Sequence, residues 1–334
     1  MRAAVIAKYD QPWEIQKLPD PRPQAGQVLI RIRASGMCGT DLHVHHGMFP
    51  LPTPLVAGHE PAGEIVEVGA GVTHLRVGDR VGVHWNQKGC GRCAMCQSGR
   101  EAACAQVQSW MNLGGANSEL MLAWASGCTL LPDGLDDVAA APIFCAGYTV
   151  MSGLRNADPR PGERVAILGL GGLGHLALQF SHALGLATFA LTGQAGKKDE
   201  LRRMGADDVL VAGDDPGKAL ADAGGADVIL STTNSGKQVA SAFRALRPGG
   251  RLVNVGVTTD GPIAIEPMTL MMGQRQLRGS SQDERSDLYE ALQLVASGKV
   301  KPVIETYPLE EANAVRERLA AGKVRYRAVL LHAR

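Results

Sequence analysis

From Arg164 onward the chain alternates between short apolar strands and helices. The first predicted strand, Arg164–Leu168, is followed by Gly169–Gly174 (GLGGLG) and then by apolar residues at helical spacing from Leu173 to Leu184. Alternation of this kind predicts a parallel sheet with crossover helices, which we place at residues 151–285. The further predicted elements are the strands Ala187–Leu191, Asp208–Val211, Asp227–Leu230 and Arg251–Val255 and the helices Asp199–Met204 and Lys237–Leu246.

The glycine motif lies between a predicted strand and a predicted helix. A GxGxxG pattern alone is weak evidence, but in this context it predicts dinucleotide binding. The glycines let the backbone approach a pyrophosphate, whose charge lies at the N-terminus of the helix. The predicted contacts are Gly169, Gly171, Gly172, Leu173 and Gly174.

Four cysteines lie within one polar loop at the spacing C-x2-C-x2-C-x7-C. Cys90, Cys93, Cys96 and Cys104 predict a closed tetrahedral, structural zinc site. Free thiols, two disulfides and an iron–sulfur cluster are the alternatives. Ferredoxin motifs continue with x3-C-P, whereas here seven residues separate the third and fourth cysteines and Ala105 follows the fourth.

Composition limits the classes of protein. The 334 residues suggest two domains, and 34 Lys and Arg against 33 Asp and Glu give no electrostatic reason to expect nucleic acid or a membrane surface. The N-terminus is charged too early for a signal peptide, so we expect a cytoplasmic protein without a disulfide framework. The first 85 residues predict β-structure, with strands at Gln27–Ile32, Val56–Val68 and Arg80–Val83.

A second group of metal-binding residue types is dispersed along the chain. Cys38, His59 and Cys145 would supply two thiolates and one imidazole, leaving a fourth position open, as a catalytic zinc site requires. Taken singly, each cysteine also fits a small buried residue, and the histidine fits a hydrogen-bonded polar residue of the core.

The sequence resembles the medium-chain, zinc-dependent alcohol dehydrogenase family over essentially its whole length. The matching segments, in the order of the family, are Gly36–His43 (GMCGTDLH), Gly58-His59-Glu60, the four-cysteine loop, Phe144–Gly147 (FCAG) and Gly169–Gly174. The resemblance implies an α/β protein, with a β-rich GroES-like catalytic domain from residues 1–150 and 286–334. A Rossmann domain with a doubly wound parallel sheet would occupy residues 151–285.

The resemblance also assigns roles to the dispersed residues. Cys38, His59 and Cys145 would be the catalytic zinc ligands, with Glu60 as an alternative ligand or a supporting carboxylate. Asp41 would accept a hydrogen bond from His59. Thr40 and His43 would form a proton relay, although His43 beside His45 and His46 also fits an exposed histidine or an adventitious metal patch. Arg327 would lie near the pyrophosphate, or else be a surface charge in a terminal strand.

Several residues bear on the choice of nicotinamide cofactor. Where NAD-specific relatives carry Asp or Glu, this strand ends Leu191-Thr192-Gly193-Gln194, and Lys197 and Lys198 follow. A hydroxyl, an amide and a lysine favour a 2′-phosphate, so we expect NADP(H), with NAD(H) as the alternative. Thr232, Gly256 and Val257 would line the nicotinamide half. Gly39 replaces the Arg or His that contacts the pyrophosphate in several NAD-using relatives.

The predicted function is reversible hydride transfer between a primary alcohol, aromatic alcohols included, and NAD(P). Phe49, Trp85 and Trp110 would line the substrate pocket, although core packing explains each of them equally well. Cys145 argues against a polyol or amino-alcohol dehydrogenase, and the two cysteine sets argue against a zinc-free quinone reductase. An inactive nucleotide-sensing or structural homologue is the non-enzyme alternative. We expect two zinc ions per chain, Cys128 as a spare cysteine, and a homo-oligomer, with a tetramer favoured over a dimer.

Overall fold

The computed structural model describes residues 1–282 and 284–332. Two compact units make up the chain, Met1–Cys145 with Pro302–Arg334 and Ala146–Lys301. Its strands are β1 (Arg2–Ile6), β2 (Glu14–Lys17), β3 (Gln27–Met37), β4 (Leu55–Val56), β5 (Glu60–Val68), β6 (Arg80–Val83), β7 (Asn86–Lys88), β8 (Gln108–Ser109), β9 (Leu120–Trp124), β10 (Cys128–Leu130), β11 (Arg164–Leu168), β12 (Ala187–Thr192), β13 (Asp208–Val211), β14 (Ala226–Ser231), β15 (Leu246–Asn254), β16 (Gln276–Gly279), β17 (Ile304–Pro308) and β18 (Arg327–Leu331). The α-helices are α1 (Gly39–His45), α2 (Ala94–Gln97), α3 (Trp110–Leu113), α4 (Asp137–Ala140), α5 (Ala146–Ala157), α6 (Gly174–Ala183), α7 (Lys198–Arg203), α8 (Pro216–Asp222), α9 (Gly236–Arg244), α10 (Pro267–Met272), α11 (Arg285–Ala296) and α12 (Ala312–Ala320).

The first unit is built around β3, the longest of its strands. Its main sheet has the order β10-β6-β5-β3-β18-β17, and β9 also pairs with β3. Alternate residues of β3 face the core, where Val28, Ile30 and Ile32 are fully buried. Because β5 and β18 both pair with β3 antiparallel, the end of β3 lies beside the beginnings of both neighbours.

The second unit contains a six-stranded parallel sheet in the order β13-β12-β11-β14-β15-β16. The strand order reverses at β11, which pairs with both β12 and β14, so the sheet is doubly wound as predicted. Residues such as Ile167, Ile229 and Leu252 are fully buried in its core.

The second boundary between the units differs from the sequence-based estimate. The estimate assigned everything after residue 285 to the unit formed by the chain ends, but helix α11 belongs to the second unit and the boundary follows Lys301. The helix buries Leu288, Leu292 and Val295, the apolar stripe that the sequence shows, and nothing in that stripe specifies which unit receives it.

No single helix among residues 1–282 and 284–332 is long and apolar enough to cross a membrane. The segments Asp137–Phe144 and Ala146–Ala157 meet the criteria for length and composition only when they are taken together as a bent pair.

Candidate active site

The strand register of the first unit brings the dispersed cysteine and histidine residues together. Gly36 of β3 pairs with Glu60 of β5, and Met37 pairs with Ala328 of β18. Cys38 follows β3 and His59 precedes β5, so their side chains meet, with 3.1 Å between Cys38 Sγ and His59 Nε2. Ligand atoms of the four residues Cys38, His59, Glu60 and Cys145 all lie within 4.8 Å of one another.

This group of donors fits a zinc ion. The side chains of Cys38 and His59 are buried, and their Sγ and Nε2 atoms converge. A hydrogen bond from Cys145 and the charge of His59 lower the pKa of Cys38, while burial opposes this. Burial disfavours a charged His59, but the negative charges of Cys38 and Asp41 outweigh it and raise the histidine pKa to about 10. Thiolate and imidazole donors are the ligands that zinc prefers.

Glu60 is held beside this group by a buried arginine. Arg327 is 2% exposed and donates hydrogen bonds to both carboxylate oxygens of Glu60. Gly36 makes room for the pair, since a Cβ at that position would lie 1.9 Å from Oε2 of Glu60. Burial raises the pKa of Glu60 to about 7, and the charge of Arg327 limits the rise. The alternative that Arg327 is a surface charge is therefore wrong.

Asp41 bonds to the backbone of Cys38 and lies close to the ring of His59. Its Oδ2 accepts a hydrogen bond of 2.9 Å from the backbone N–H of Cys38, and the Cys38 sulfur accepts one from the N–H of Thr40, forming a capping box on α1. The other oxygen, Oδ1, lies 3.8 Å from His59 Nδ1. That separation is too long for the expected hydrogen bond, although both atoms are buried and have no other partner among the described residues.

Two tryptophans lie against His59, and a phenylalanine packs on one of them. The His59 ring lies 5.2 Å from Trp85, edge to face, and 6.1 Å from Trp110, nearly parallel. The rings of Trp85 and Trp110 are perpendicular at 5.5 Å, and Phe49 lies 6.0 Å from Trp85. The structure thus brings together all three residues that the sequence proposed for a substrate pocket.

Helix α1 carries the two residues of the predicted proton relay. Thr40 and His43 are three residues apart, so they share one face of the helix, and both are half-buried. The neighbouring His45 lies on the same helix. It is buried, receives a hydrogen bond from the Trp13 indole, and contacts Arg316.

The four-cysteine loop also places its sulfur atoms together. All four lie within 4.8 Å of one another, with 3.6 Å between Cys93 and Cys96 and 4.0 Å between Cys90 and Cys96. A tetrahedron with ~2.3 Å zinc–sulfur bonds has edges of about 3.8 Å, which matches these distances. All seven cysteines of the chain are free, so the structure contains no disulfide among them. Backbone N–H groups of Arg92 and Cys93 lower the pKa of Cys90 to about 6.

The second unit has a cavity of about 560 Å³ at the ends of β11 and β12. Its lining includes the predicted residues Gly169, Gly171, Thr192, Gly193, Gln194 and Lys197. The other predicted contacts, Gly172, Leu173, Gly174, Thr232, Gly256 and Val257, do not line it. The volume and glycine-rich wall suit the adenosine and phosphate part of a dinucleotide.

Several of these other residues shape the glycine turn. A Cβ at Gly174 would lie 1.8 Å from the carbonyl oxygen of Gly169, so helix α6 can approach β11 this closely only with glycine there. The hydroxyl of Thr232 donates a 2.7 Å hydrogen bond to the same carbonyl. Gly256 packs against the backbone of Thr233, and Val257 is 53% exposed.

Sequence reasoning missed two features of these sites. Gln238, in the first turn of α9, lines the dinucleotide cavity and accepts a hydrogen bond from Thr233. The sequence offers one clue to Gln238, its position shortly after β14, because ligands of such sheets bind at the carboxyl ends of the strands. The pairing of Glu60 with Arg327 has no local clue, because 267 residues separate them.

Comparisons with known proteins agree with these sites. Residues 24–133 match the alcohol dehydrogenase GroES-like domain family, and residues 172–297 match the zinc-binding dehydrogenase family. An alcohol dehydrogenase of Geobacillus stearothermophilus is 40% identical over 337 residues, covering 99% of this chain and 98% of the relative. The crystal structure of an alcohol dehydrogenase from Aeropyrum pernix superposes with a TM-score of 0.91 at 31% identity, covering 99% of this chain and 100% of that one. A cinnamyl alcohol dehydrogenase of Sorghum bicolor gives 0.89 at 29% identity, covering 98% and 96%. The chain therefore belongs to the medium-chain, zinc-dependent alcohol dehydrogenase family of oxidoreductases.

Proposed function

We propose that this protein catalyses reversible hydride transfer between a primary alcohol, aromatic alcohols included, and a nicotinamide cofactor, with zinc at the catalytic site. The observation that carries the proposal is the convergence of Cys38, His59 and Cys145 beside aromatic rings. Two thiolates and one imidazole leave a tetrahedral metal with one position for substrate.

The chain's own residues would divide the work between binding and proton transfer. When bound, zinc supplies a Lewis acid that lowers the pKa of a hydroxyl group, and the nicotinamide exchanges hydride. Cys38, His59 and Cys145 would hold the metal. The neighbouring aromatic rings would limit the access of water, which strengthens electrostatic interactions within a site. Thr40 and His43 share a face of α1, and their partial exposure suits the passage of the hydroxyl proton to solvent.

Replacing one ligand tests the catalytic metal site. We expect Cys38→Ser to reduce alcohol oxidation to background and to lower the zinc content from two ions per chain to one. Cys128→Ser is the matched control, because Cys128 lies outside both cysteine groups. Turnover by Cys38→Ser close to that of the wild type would contradict the proposed site.

We infer that NADP(H) is the preferred cofactor and NAD(H) the alternative. Lys197 lines the dinucleotide cavity together with the polar residues Thr192 and Gln194, and β12 ends without a carboxylate. A positive charge and hydrogen-bond donors favour a 2′-phosphate. Asp214, from the turn after β13, lines the same cavity and opposes this preference.

The two neighbouring lysines allow a matched test of the cofactor proposal. Lys197 lines the cavity and Lys198 does not. We expect Lys197→Ala to lower kcat/KM for NADPH about tenfold and to leave that for NADH within twofold, since a charge-assisted bond contributes ~1.5 kcal/mol or more. Lys198→Ala should change neither value. Equal effects of Lys197→Ala on the two cofactors would refute the preference.

We also propose that the protein is a homo-oligomer, with a tetramer favoured over a dimer. Support comes from the edge of the parallel sheet, where β16 has no further neighbour among the described strands. Leu277 on that strand is 40% exposed, and Met268, Met271 and Met272 on the adjacent α10 are 61–75% exposed. Exposed apolar residues at a sheet edge are typical of a surface that pairs with another chain.

A further inference from the structure

We propose that Asn117 is a positioning residue for the candidate zinc site, because its buried side chain connects the strand that leads to Cys38 with the segment that leads to His59. The group that it serves is the metal ion of that site, so this inference rests on the proposed function. Its effect on the metal passes through the backbone of the two segments that carry the ligands.

The side chain of Asn117 is hydrogen-bonded to strand β3. Asn117 and Ser35 are both fully buried, and the Ser35 hydroxyl donates a 2.8 Å hydrogen bond to Oδ1 of Asn117. Ser35 lies on β3, which ends at Met37, directly before Cys38. A buried hydroxyl that loses its acceptor is unfavourable for the folded protein, so this bond holds the end of β3 against the asparagine.

The same side chain covers one face of Gly58, the residue before His59. A Cβ at Gly58 would lie 2.6 Å from Oδ1 and 2.8 Å from Cγ of Asn117, which is closer than atoms of a side chain can approach. The φ angle of Gly58 is +103°, a conformation that residues with a side chain rarely adopt. Glycine at this position therefore lets the asparagine lie directly against the backbone that leads to the ligand.

Backbone hydrogen bonds hold Asn117 in register with that segment. Its N–H donates a 2.9 Å bond to the carbonyl oxygen of Ala57, and the N–H of Ala116 donates one of the same length to Gly58. The N–H of Ala4, on β1, donates a 2.8 Å bond to the carbonyl oxygen of Asn117. The residue is thus restrained by β1, by β3 and by the segment that ends at Gly58.

One atom of the side chain shows that fold stability alone does not account for an asparagine here. Nδ2 of Asn117 is buried without a hydrogen-bond partner among the described residues. An unpaired buried N–H is unfavourable, so an apolar side chain of similar shape would cost the folded state less at this atom. The asparagine offers instead an oxygen that bonds to Ser35 while the amide lies against Gly58.

The spacing of two metal ligands depends on this connection. Sγ of Cys38 and Nε2 of His59 lie 3.1 Å apart, so a small shift of either segment changes the distance between the donors. Metal affinity falls when the surroundings of the ligands no longer hold them in place. We therefore expect the loss of the Asn117 side chain to weaken binding of the catalytic ion.

Zinc binding tests this role without a substrate. We expect Asn117→Ala to raise the dissociation constant of the catalytic zinc about fivefold, the effect of one lost hydrogen bond, measured by competition with pyridine-2,6-dicarboxylate. The structural zinc is the internal reference. In the Cys38→Ser protein, where only that ion is expected to remain, adding Asn117→Ala should leave its dissociation constant unchanged.

The partner hydroxyl provides a milder second variant, which keeps the test open if Asn117→Ala disturbs folding. Ser35→Ala removes a single oxygen and should raise the dissociation constant of the catalytic zinc about threefold. Because both changes break the same bond, the double variant should bind this ion no more weakly than Asn117→Ala alone.

A neighbouring serine provides the matched control. Ser118 is 1% exposed, and its hydroxyl bonds to the carbonyl oxygens of Gly115 and Leu120, within its own turn. Ser118→Ala should lower the melting temperature, as the loss of a buried hydrogen bond does, and leave both zinc ions bound as in the wild type. The comparison separates a general loss of stability from a specific effect on the ligands.

The outcomes distinguish this inference from the proposed function. Unchanged zinc binding in Asn117→Ala and Ser35→Ala, equal weakening of the two ions, or an equal effect of Ser118→Ala would overturn the role of Asn117. A wild-type protein that holds both zinc ions but oxidises no alcohol refutes the proposed function, and the competition experiment then still decides the role of Asn117. A wild-type protein without zinc at Cys38 would overturn both.

Discussion

His332 shows how strongly burial controls a single ionisable side chain in this protein. It is 7% exposed, and neither ring nitrogen has a hydrogen-bond partner among the described residues. Burial lowers its pKa from 6.5 to about 4; nearby Glu119 favours the charged form and Arg2 opposes it. The folded protein therefore holds this histidine neutral at pH values where the unfolded chain protonates it.

As a consequence, His332 alone makes the folded protein less stable in acid. Between pH 6.5 and about 4 the unfolded state binds a proton that the folded state does not, so the free energy of unfolding falls as pH falls. Over that window the shift is equivalent to about 3 kcal/mol. We expect His332→Gln to lose this part of the pH dependence, measured by urea unfolding at pH 7 and pH 4. Parallel pH profiles for variant and wild type would contradict it.

The candidate metal ligands were predictable from short motifs, but the pairing between distant residues was not. The motifs around Cys38, His59 and Cys145, taken with the family resemblance, predicted these three residues as metal ligands, and the structure brings their side chains together. Gly36 matters because Glu60 occupies the space beside its Cα, and Arg327 neutralises that carboxylate. Such contacts follow from the register of three strands, which no local pattern encodes.

At the scale of elements, the four-cysteine loop differs from the strands around it. Its regular structure is limited to α2, a 3-10 helix at Glu101–Ala103 and the short pair β7 and β8, and most residues between Gly91 and Ala103 are exposed. Little apolar burial is available to order such a segment. Bonds from the four sulfur atoms to a metal would supply that stability.

Removing one sulfur should therefore affect stability more than chemistry. We expect Cys90→Ser to lower the melting temperature by several degrees and to release one zinc ion per chain, because it opens the structural site. Residual activity measured well below that temperature should stay within a few-fold of the wild type. A variant as stable as the wild type but inactive would contradict the structural role.

Sequence periodicity predicted the strands that carry an apolar pattern, whether long or short. The strands β3, β6, β11, β12, β13 and β14 overlap their predicted ranges, because each has a continuous or alternating apolar pattern. Helix α10 and strand β16 were not predicted. Both are short and expose their apolar residues, so their patterns do not distinguish a core-facing side.

The exposed apolar edge formed by β16 and α10 bears on how the whole molecule assembles. Leu277 and the three methionines of α10 offer apolar area without a partner in the chain as described. Lysine on an edge strand opposes strand pairing between chains. Leu277 thus provides a direct way to test assembly.

We expect Leu277→Lys to lower the molar mass in solution, measured by light scattering coupled to size exclusion. Val77→Lys is the control, because Val77 is also exposed, at 60%, but follows β5 in the other unit. An unchanged oligomer in Leu277→Lys, or dissociation by Val77→Lys instead, would argue against this edge as the interface.

At this scale the fold class was predictable and the exact division of the chain was not. Alternation and the glycine turn predicted the parallel sheet, and the resemblance implied that both chain ends share one unit; the structure confirms the sheet and the fold class. The boundary after Lys301 depends on which unit packs against α11, a choice between two cores that amphipathicity alone leaves open.

The short pair β7 and β8 has one more consequence. Asn86 pairs with Ser109, so the two ends of the four-cysteine segment lie side by side in the first unit. Because the ends of this segment are adjacent, we expect a change in its length, or its removal, to leave unaltered the spacing of β3 and β5, which lie next to Cys38 and His59. On this expectation, an enzyme of this architecture can lack the four-cysteine segment and still retain the residues that we propose for the chemistry.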